Sequence, residues 1–264
     1  MNTHFDISSA LKKQFRSRSR LFGGWLSIGS PEIAAIFASA RGDFIGIDIE
    51  HTTISLPVAQ AIIRACHEHR RACLPRIYEG NVEDMRRLLD AGADGVIVPQ
   101  VHSPGQIRMF RDNMKYPPEG SRGFGVAAAH SYGRRFEEYV SGANDSLSLV
   151  IQIETIAGVE NVENILAEPG VDGVMVGPYD LSGSLGVPGK LDHPSVVEAC
   201  DRVIDVCARR GVSCGMHLIY PTAEQVRQHF SRKFTFLILG SDILNLWKRS
   251  EETDRMIEEF SPGA

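Results

Sequence analysis

The sequence contains no apolar stretch that approaches the length of a membrane span, and it has no excess of basic residues. The formal net charge is -5, so the chain has no basic field that would attract nucleic acid or an anionic membrane. With 264 residues, of which 43% are hydrophobic, it is long enough to bury a sizeable core. We therefore expect a globular protein that recognises small partners locally, without nucleic acid or membrane.

The cysteines are few, odd in number and free of C-x-x-C spacing. This pattern argues against both a disulfide framework and a structural zinc site, and it favours a reducing cytoplasm. The five are Cys66, Cys73, Cys200, Cys207 and Cys214.

The first 20 residues are rich in Arg and Ser and poor in acids, which is also typical of a transit peptide. However, "SALKKQF" (9–15) has helix formers in amphipathic order and leads directly towards a strand-like run. We favour a helix that precedes the first strand. The basic "RSRSR" (16–20) lacks the interleaved aromatics that a nucleic-acid site would need.

Short apolar runs alternate with helix-period segments along the whole chain, and several of the helical segments end on Gly. Eight strands are predicted in this way, and eight strands alternating with helices in about 250 residues indicate a (β/α)8 TIM barrel. A doubly wound open sheet is the alternative fold. We predict a single barrel domain over residues 1–264. The predicted strands are 23–28, 44–50, 72–77, 95–100, 149–154, 173–178, 213–218 and 234–240.

Two carboxylates stand at the ends of neighbouring predicted strands. Glu154 closes strand five and Asp180 follows strand six, so both should reach the mouth of the barrel, where active sites of this fold lie. Strand alternation places Gln152 on the same inward side as Glu154. Each acid alone would more often cap a helix, but two together without a cationic neighbour favour a hard divalent cation.

Strands two and three add groups suited to proton transfer and charge stabilisation. In "GIDIEH", Asp48 and Glu50 share the inward parity and His51 follows them, so a carboxylate could orient the imidazole as a general acid or base. A structural histidine is the alternative. Arg76 should stand at the same rim, either to stabilise an anion or to pair with one of these acids.

The remaining histidines and the lysines carry weaker signals. His67 and His69 do not share a helix face, so we expect them on a solvated surface, whereas His217 could equally line the mouth or pack in the core. A Schiff-base mechanism would need a lysine inside the barrel, and all six lysines lie outside strand interiors. The long irregular stretch 114–147 is the candidate functional insertion.

Seven blocks of the sequence resemble, in order and spacing, the HpcH/HpaI aldolase family of metal-dependent class II pyruvate aldolases. The resemblance runs from about Leu21 to about Leu246. The blocks are "GGWLSIGSPEIAAIFA", "FIGIDIEH", "RIYEG", "KYPPEGSRGFG", "QIET", "GPYDLSGSLG" and "LGSD".

This resemblance implies an enzyme that cleaves or forms 4-hydroxy-2-oxo acids, giving pyruvate and an aldehyde. Candidate substrates are 4-hydroxy-2-oxoheptanedioate and 2-keto-3-deoxy sugar acids. Glu154 and Asp180 would hold Mg²⁺, Mn²⁺ or Co²⁺, with Gln152 beside them. The backbone amides of the Gly177 to Asp180 turn, which includes Pro178 and Tyr179, would bind the pyruvate carboxylate.

In the same resemblance, His51 paired with Asp48 would be the acid/base, and Arg76 would stabilise the enolate oxygen. The resemblance also implies a homo-oligomer, namely a hexamer built as a trimer of dimers that exchange a C-terminal helix. The chain departs from the family pattern at two places on the acceptor side: "EHTTIS" replaces the usual "EHAPND", and Tyr179 replaces alanine in "GPADL".

Two other functions remain open from the sequence. One is an acyl-CoA lyase related to citrate lyase or malyl-CoA lyase, which would need a groove for the CoA phosphates. The other is a non-catalytic barrel that binds metal and a 2-oxo acid, although such a protein would not need His51 and Arg76.

Overall fold

The computed structural model describes residues 4–261, and eight parallel strands in this part of the chain close into a barrel. Each strand pairs with the next one in sequence, and β8 pairs with β1. This confirms the (β/α)8 barrel and excludes the open sheet. The strands are β1 (Leu21–Leu26), β2 (Phe44–Asp48), β3 (Ala72–Arg76), β4 (Gly95–Val98), β5 (Ser148–Ile153), β6 (Gly173–Val176), β7 (Ser213–Leu218) and β8 (Phe236–Leu239).

One helix precedes the first strand, and the other helices follow the strands and surround the barrel. They are α1 (His4–Arg16), α2 (Pro31–Ser39), α3 (Leu56–Glu68), α4 (Val82–Ala91), α5 (Pro104–Met114), α6 (Phe136–Ser146), α7 (Ile156–Ile165), α8 (Pro178–Ser184), α9 (Pro194–Arg210), α10 (Ala223–Ser231) and α11 (Asp242–Phe260). The irregular stretch 114–147 contains a 3-10 helix (Ala128–His130) and α6. Over residues 4–261, no helix has the length and apolar character needed to cross a membrane.

Alternation along the strands separates two apolar clusters. On β5, Val150 joins the cluster inside the barrel, whereas Leu149 and Ile151 join the cluster between the sheet and the helices. On β2, Phe44 points inward and Ile45 outward in the same way. The inward parity predicted for Gln152 and Asp48 follows from this pattern.

Polar side chains at the start of every even-numbered strand join that strand to the preceding one. Asp43 accepts the backbone N–H of Phe22 at 2.8 Å, and Asp94 accepts that of Cys73 at 2.7 Å. Asp172 and Thr235 make the equivalent bonds to Leu149 and Cys214, both at 3.0 Å. The amino-terminal end of the barrel is therefore built as four strand pairs.

Helix α1 closes this amino-terminal end. Its Phe15 enters the interior cluster, and its Lys12, which is buried, forms an ion pair of 3.1 Å with Asp172. Burial lowers the pKa of Lys12, and the charge of Asp172 opposes that change. The predicted N-terminal helix is confirmed. Lys12 stands outside the strands as expected, but its amine is buried at the end opposite the mouth.

His67 differs from the sequence prediction of a solvated surface. Its Nε2 lies 2.8 Å from Oδ2 of Asp94, and its side chain is largely buried. Burial alone would lower the pKa of His67, but the charge and hydrogen bond of Asp94 raise it. The partner is 27 positions away in sequence, so spacing within α3 could not reveal it.

The buried pair between Lys12 and Asp172 yields a stability prediction. Asp172→Asn removes the counter-charge from a buried ammonium group and should lower the free energy of unfolding by about 3–5 kcal/mol. Urea unfolding followed by circular dichroism measures this loss. The matched control is Asp205→Asn, which breaks the exposed 2.8 Å pair with Lys233 and should leave the midpoint nearly unchanged. Equal midpoints for the two variants would contradict the proposed role of α1.

Candidate active site

The predicted site residues converge at the carboxyl end of the barrel. Asp48 is the last residue of β2 and pairs in register with Arg76, the last residue of β3. Glu154 directly follows β5, and Asp180 lies in the first turn of α8, after β6. Because all the parallel strands end at the same rim of the barrel, the polar side chains at the ends of β2, β3, β5 and β6 lie at one mouth.

Arg76 is held rigidly. Its Nε and Nη2 bind the two carboxylate oxygens of Asp48 at 3.1 and 2.7 Å, and its guanidinium carbon lies 5.0 Å from the centre of the Trp25 ring. Such a bidentate pair fixes the plane of the guanidinium group. No residue between 4 and 261 supplies a partner for Nη1, so this edge is free to bind an anionic substrate atom.

His51 does not pair with Asp48 through its ring, which corrects the pairing that the resemblance implied. Asp48 instead accepts the backbone N–H groups of Glu50 and His51, both at 3.1 Å. The imidazole Nε2 lies 3.6 Å from Oε2 of Glu50, and the ring is 66% exposed. The reason is that β2 ends at Asp48, so strand parity no longer governs the turn that follows.

Glu50 is a central member of the site, although the residue pattern assigned it no role separate from that of Asp48. Its Oε2 lies 3.3 Å from Nε of Arg76, on the same side as His51. Burial raises the pKa of Glu50 to about 6, the charge of Arg76 opposes this rise, and the charges of Asp48 and Asp180 add to it.

Glu154 is buried and has only neutral hydrogen-bond donors. Its Oε1 accepts the backbone N–H of Gln100 at 2.8 Å, and its Oε2 accepts the side-chain amide of Gln152. Burial raises the pKa of Glu154 to about 7, and the charges of Asp180 and Glu50 contribute to the rise. These couplings show that the three carboxylates lie within electrostatic reach of one another.

The donor set fits a hard divalent cation. Mg²⁺ is typically bound by one or two carboxylates, with water and substrate oxygens completing its ligands. Each oxygen of Glu154 keeps a second lone pair, and the carboxylate of Asp180 has no hydrogen bond or ion pair within the described part of the chain. In addition, the buried Oε1 of Gln152 finds no hydrogen-bond partner in the part of the chain that the structure describes. Among residues 4–261 there is no group of three or more His, Cys, Asp or Glu arranged to hold a metal, so the fit rests on two carboxylates.

The turn at Gly177 shapes the approach to Glu154. A Cβ on Gly177 would lie 2.8 Å from both Cβ and Oε2 of Glu154, so only glycine allows this contact. The N–H of Gly177 donates to Ile153, and Pro178 has no N–H, so neither is free for a ligand. The N–H groups of Tyr179 and Asp180, at the start of α8, find no acceptor within residues 4–261.

Two contributors had no clear sequence signal. Trp25 lies between Arg76 and His217, its ring 5.3 Å from that of His217. Gln100 contributes only its backbone N–H, which no residue pattern can reveal. The ring of His217 packs against Trp25 beside the mouth and its Nε2 lies 2.9 Å from the carbonyl oxygen of Gly240, so its role stays a prediction. Burial lowers its pKa.

The irregular stretch 114–147 is anchored by a buried arginine. Arg122 pairs with Asp90 at 2.6 Å, and its guanidinium carbon lies 4.7 Å from the centre of the Tyr116 ring. Phe124 stacks on the same ring at 4.9 Å and is itself exposed. None of the contacts described for this stretch reaches Glu154, Asp180 or Arg76, so its function stays a prediction.

Comparison with known proteins identifies the class to which this fold and site belong. The sequence profile of the HpcH/HpaI aldolase/citrate lyase family matches residues 21–248, so the chain belongs to this family. The match confirms the resemblance found in the sequence, and it confirms an enzyme of the aldolase type, a carbon–carbon lyase.

Individual relatives match over nearly the whole chain. A 2-keto-3-deoxy-L-rhamnonate aldolase of Escherichia coli (strain K12) is 31% identical over 97% of this chain and 95% of its own. A hydroxypyruvate/pyruvate aldolase of Roseovarius nubinhibens is 30% identical over 93% and 95%. The crystal structure of an HpcH/HpaI aldolase/citrate lyase family protein from Burkholderia cenocepacia J2315 superposes with a TM-score of 0.89 at 29% identity, covering 95% of this chain and 99% of that one.

The close approach of Gly177 to Glu154 predicts a steric effect on cation binding. The φ of Gly177 is -104°, which any residue can adopt, so Gly177→Ala should act through its Cβ alone. Displacing Glu154 should weaken Mn²⁺ binding about tenfold or more, a change of about 1.4 kcal/mol, measured by equilibrium dialysis. Gly183→Ala in the same helix is the control, because a Cβ there meets nothing within 4 Å. Unchanged affinity in Gly177→Ala would place the cation elsewhere.

Proposed function

We propose that this protein is a divalent-metal-dependent aldolase that cleaves, or forms, a 4-hydroxy-2-oxo acid, with pyruvate and an aldehyde as the other partners. The observation that carries the proposal is the composition of the mouth. Arg76 pairs with Asp48 and Glu50, and His51 stands beside Glu50. Glu154 and Asp180 lie near enough for the charge of Asp180 to act on both Glu50 and Glu154. The relatives named as 2-keto-3-deoxy-L-rhamnonate aldolase and hydroxypyruvate/pyruvate aldolase favour substrates of this class.

Glu154 and Asp180 would hold the cation, with Gln152 beside them. When bound, such a cation acts as a Lewis acid that lowers the free energy of an enolate. Arg76 adds a fixed positive charge through its free Nη1, and because Asp48 and Trp25 already hold the group, little reorganisation is needed when the enolate charge develops. The free N–H groups of Tyr179 and Asp180 would bind the pyruvyl carboxylate, whose negative charge suits the first turn of a helix.

His51 is the proposed acid/base on the acceptor side. In cleavage it takes the proton of the C4 hydroxyl, the C3–C4 bond breaks, and the electron pair stays on C3 as the enolate of pyruvate. The C4 oxygen becomes the aldehyde carbonyl. The exposed position of the imidazole, at the outer edge of the site, suits a group that meets the second substrate.

Lysine chemistry has no support at this site. The buried Lys12 lies at the opposite end of the barrel, paired with Asp172. Over residues 4–261, no lysine is recorded in contact with the site carboxylates. A covalent imine with pyruvate is therefore not part of the proposal.

The proposal extends to assembly and location. Helix α11 exposes six large apolar side chains, which a second copy of the chain could cover in an exchanged hexamer; they are Ile243, Leu246, Trp247, Met256, Ile257 and Phe260. The five cysteines are unpaired thiols, which supports a reducing compartment such as the cytoplasm.

The proposed hexamer can be tested by light scattering, which should give the mass of six chains. Trp247→Glu, on the exposed apolar face of α11, should reduce this mass. A monomeric wild-type mass would contradict this assembly.

The proposed chemistry can be tested without knowledge of the aldehyde. The enzyme should exchange the methyl protons of pyruvate for deuterium in D2O, because enolate formation is a partial reaction of the aldol cleavage. Proton NMR follows the loss of the methyl signal. Exchange should stop after exhaustive chelation, return with Mg²⁺, Mn²⁺ or Co²⁺, and survive borohydride treatment with pyruvate. An exchange rate no higher than that of the metal ion without protein would rule out the proposed aldolase. Exchange that depends on an acyl-CoA would favour the CoA lyase.

Mutations of His51 and Arg76 should have different effects on aldol cleavage and on pyruvate exchange. His51→Ala should lower the rate of aldol cleavage by about 10²-fold or more and leave pyruvate exchange nearly intact, because the imidazole acts on the C4 hydroxyl. Arg76→Ala should lower both rates, because it removes charge stabilisation from the enolate. Steady-state cleavage assays and NMR exchange measure the two rates on the same samples. Small, equal effects of both variants would mean that the site is wrongly placed.

A further inference from the structure

The ring of His51 lacks the support that its neighbours in the site have. Its backbone N–H is fixed by Asp48 at 3.1 Å, and the hydroxyl of Thr52 bonds to the carbonyl of Asp48, so the turn itself is ordered. The imidazole is nevertheless 66% exposed. Within residues 4–261, the only polar side-chain atom recorded in contact with it is Oε2 of Glu50.

We propose that Glu50 is the positioning residue of His51, holding its Nε2 side so that Nδ1 is the nitrogen that exchanges the proton with the substrate. This inference rests on the proposed aldolase function. The geometry is specific, because one oxygen, Oε2 of Glu50, lies 3.6 Å from Nε2 of His51 and 3.3 Å from Nε of Arg76. The carboxylate thus contacts the well-anchored guanidinium group of Arg76 on one side and the exposed imidazole of His51 on the other.

The contact between Glu50 and His51 should stabilise the imidazole most strongly when the ring carries a positive charge, because the two groups are 3.6 Å apart. At 3.6 Å it is too long for a good hydrogen bond from a neutral ring, so its attraction is mainly electrostatic. A nearby carboxylate favours the tautomer with the proton on Nε2, which leaves the lone pair of Nδ1 free for the substrate. When Nδ1 accepts the C4 hydroxyl proton, the ring gains a full positive charge next to Glu50. The carboxylate stays ionised throughout, and no further proton is needed.

Arg76 should be little affected by the loss of Glu50. Asp48 binds the guanidinium through two hydrogen bonds and Trp25 lies beneath it, so its position has two supports besides Glu50. Neutralising Glu50 should therefore harm the step that uses His51 much more than the step that uses Arg76. A purely structural role for Glu50 would damage both steps together.

The test is a double-mutant cycle with two readouts. Glu50→Gln has the same shape without the charge, and it should lower the rate of aldol cleavage about tenfold or more while pyruvate exchange falls less than threefold. The double variant Glu50→Gln/His51→Ala should be no slower in cleavage than His51→Ala alone, because residues that act as one unit are not additive. All rates are measured at saturating Mn²⁺.

The control is Glu79→Gln, which removes another negative charge near Glu50 but breaks no contact with His51 or Arg76. It should retain both rates. Additive losses in the cycle, or equal losses of exchange and cleavage in Glu50→Gln, would overturn the positioning role. These outcomes are distinct from failure of the proposed function, since that failure would show as absent pyruvate exchange in the wild type.

Discussion

The mouth of this barrel contains more negative charge than its own cation can neutralise. Arg76 is already bound by both oxygens of Asp48, so Glu50, Glu154 and Asp180 share no full counter-charge. Burial raises the pKa values of Glu50 and Glu154 to about 6 and about 7, and the negative charge of Asp180 adds to both shifts. A divalent cation would relieve this repulsion, and under the proposed function such neutralisation would favour binding of an anionic 2-oxo acid.

Carboxylates at the two ends of the barrel differ in the hydrogen bonds and ion pairs that they receive. At the amino-terminal end, Asp172 accepts a backbone N–H and pairs with Lys12 and Arg16, and Asp94 is bonded to Cys73 and His67. These groups link strands and fix α1. At the carboxyl end, by contrast, the Asp180 carboxylate receives no bond from the described residues, although it has the same chemical type. The contrast separates Asp172 and Asp94, which hold the fold together, from Asp180, which is available to a ligand.

Much of the architecture could be predicted from the sequence because strand alternation is a local property. All eight strands were found near their predicted positions, and parity placed Gln152 on the correct side of β5. Parity placed both Asp48 and Glu50 on the inward side but could not say which of them contacts the His51 ring, and the pairing with Asp48 that the resemblance implied is wrong, because the ring contacts Glu50. The packing of Trp25 against Arg76, and the donation from Gln100, depend on contacts between distant strands and loops. Such contacts leave no periodic signal in the sequence.

The proposed function requires that Glu154 and Asp180 bind a divalent cation on which pyruvate binding depends. Isothermal titration of pyruvate into the metal-free and Mn²⁺-loaded protein, and into Asp180→Asn, measures this dependence without catalysis. We expect pyruvate to bind measurably only to the Mn²⁺-loaded wild type, and Asp180→Asn to lose Mn²⁺ and pyruvate binding together. Equal pyruvate affinity in the metal-free and Mn²⁺-loaded wild type would show that the cation is not needed for pyruvate binding.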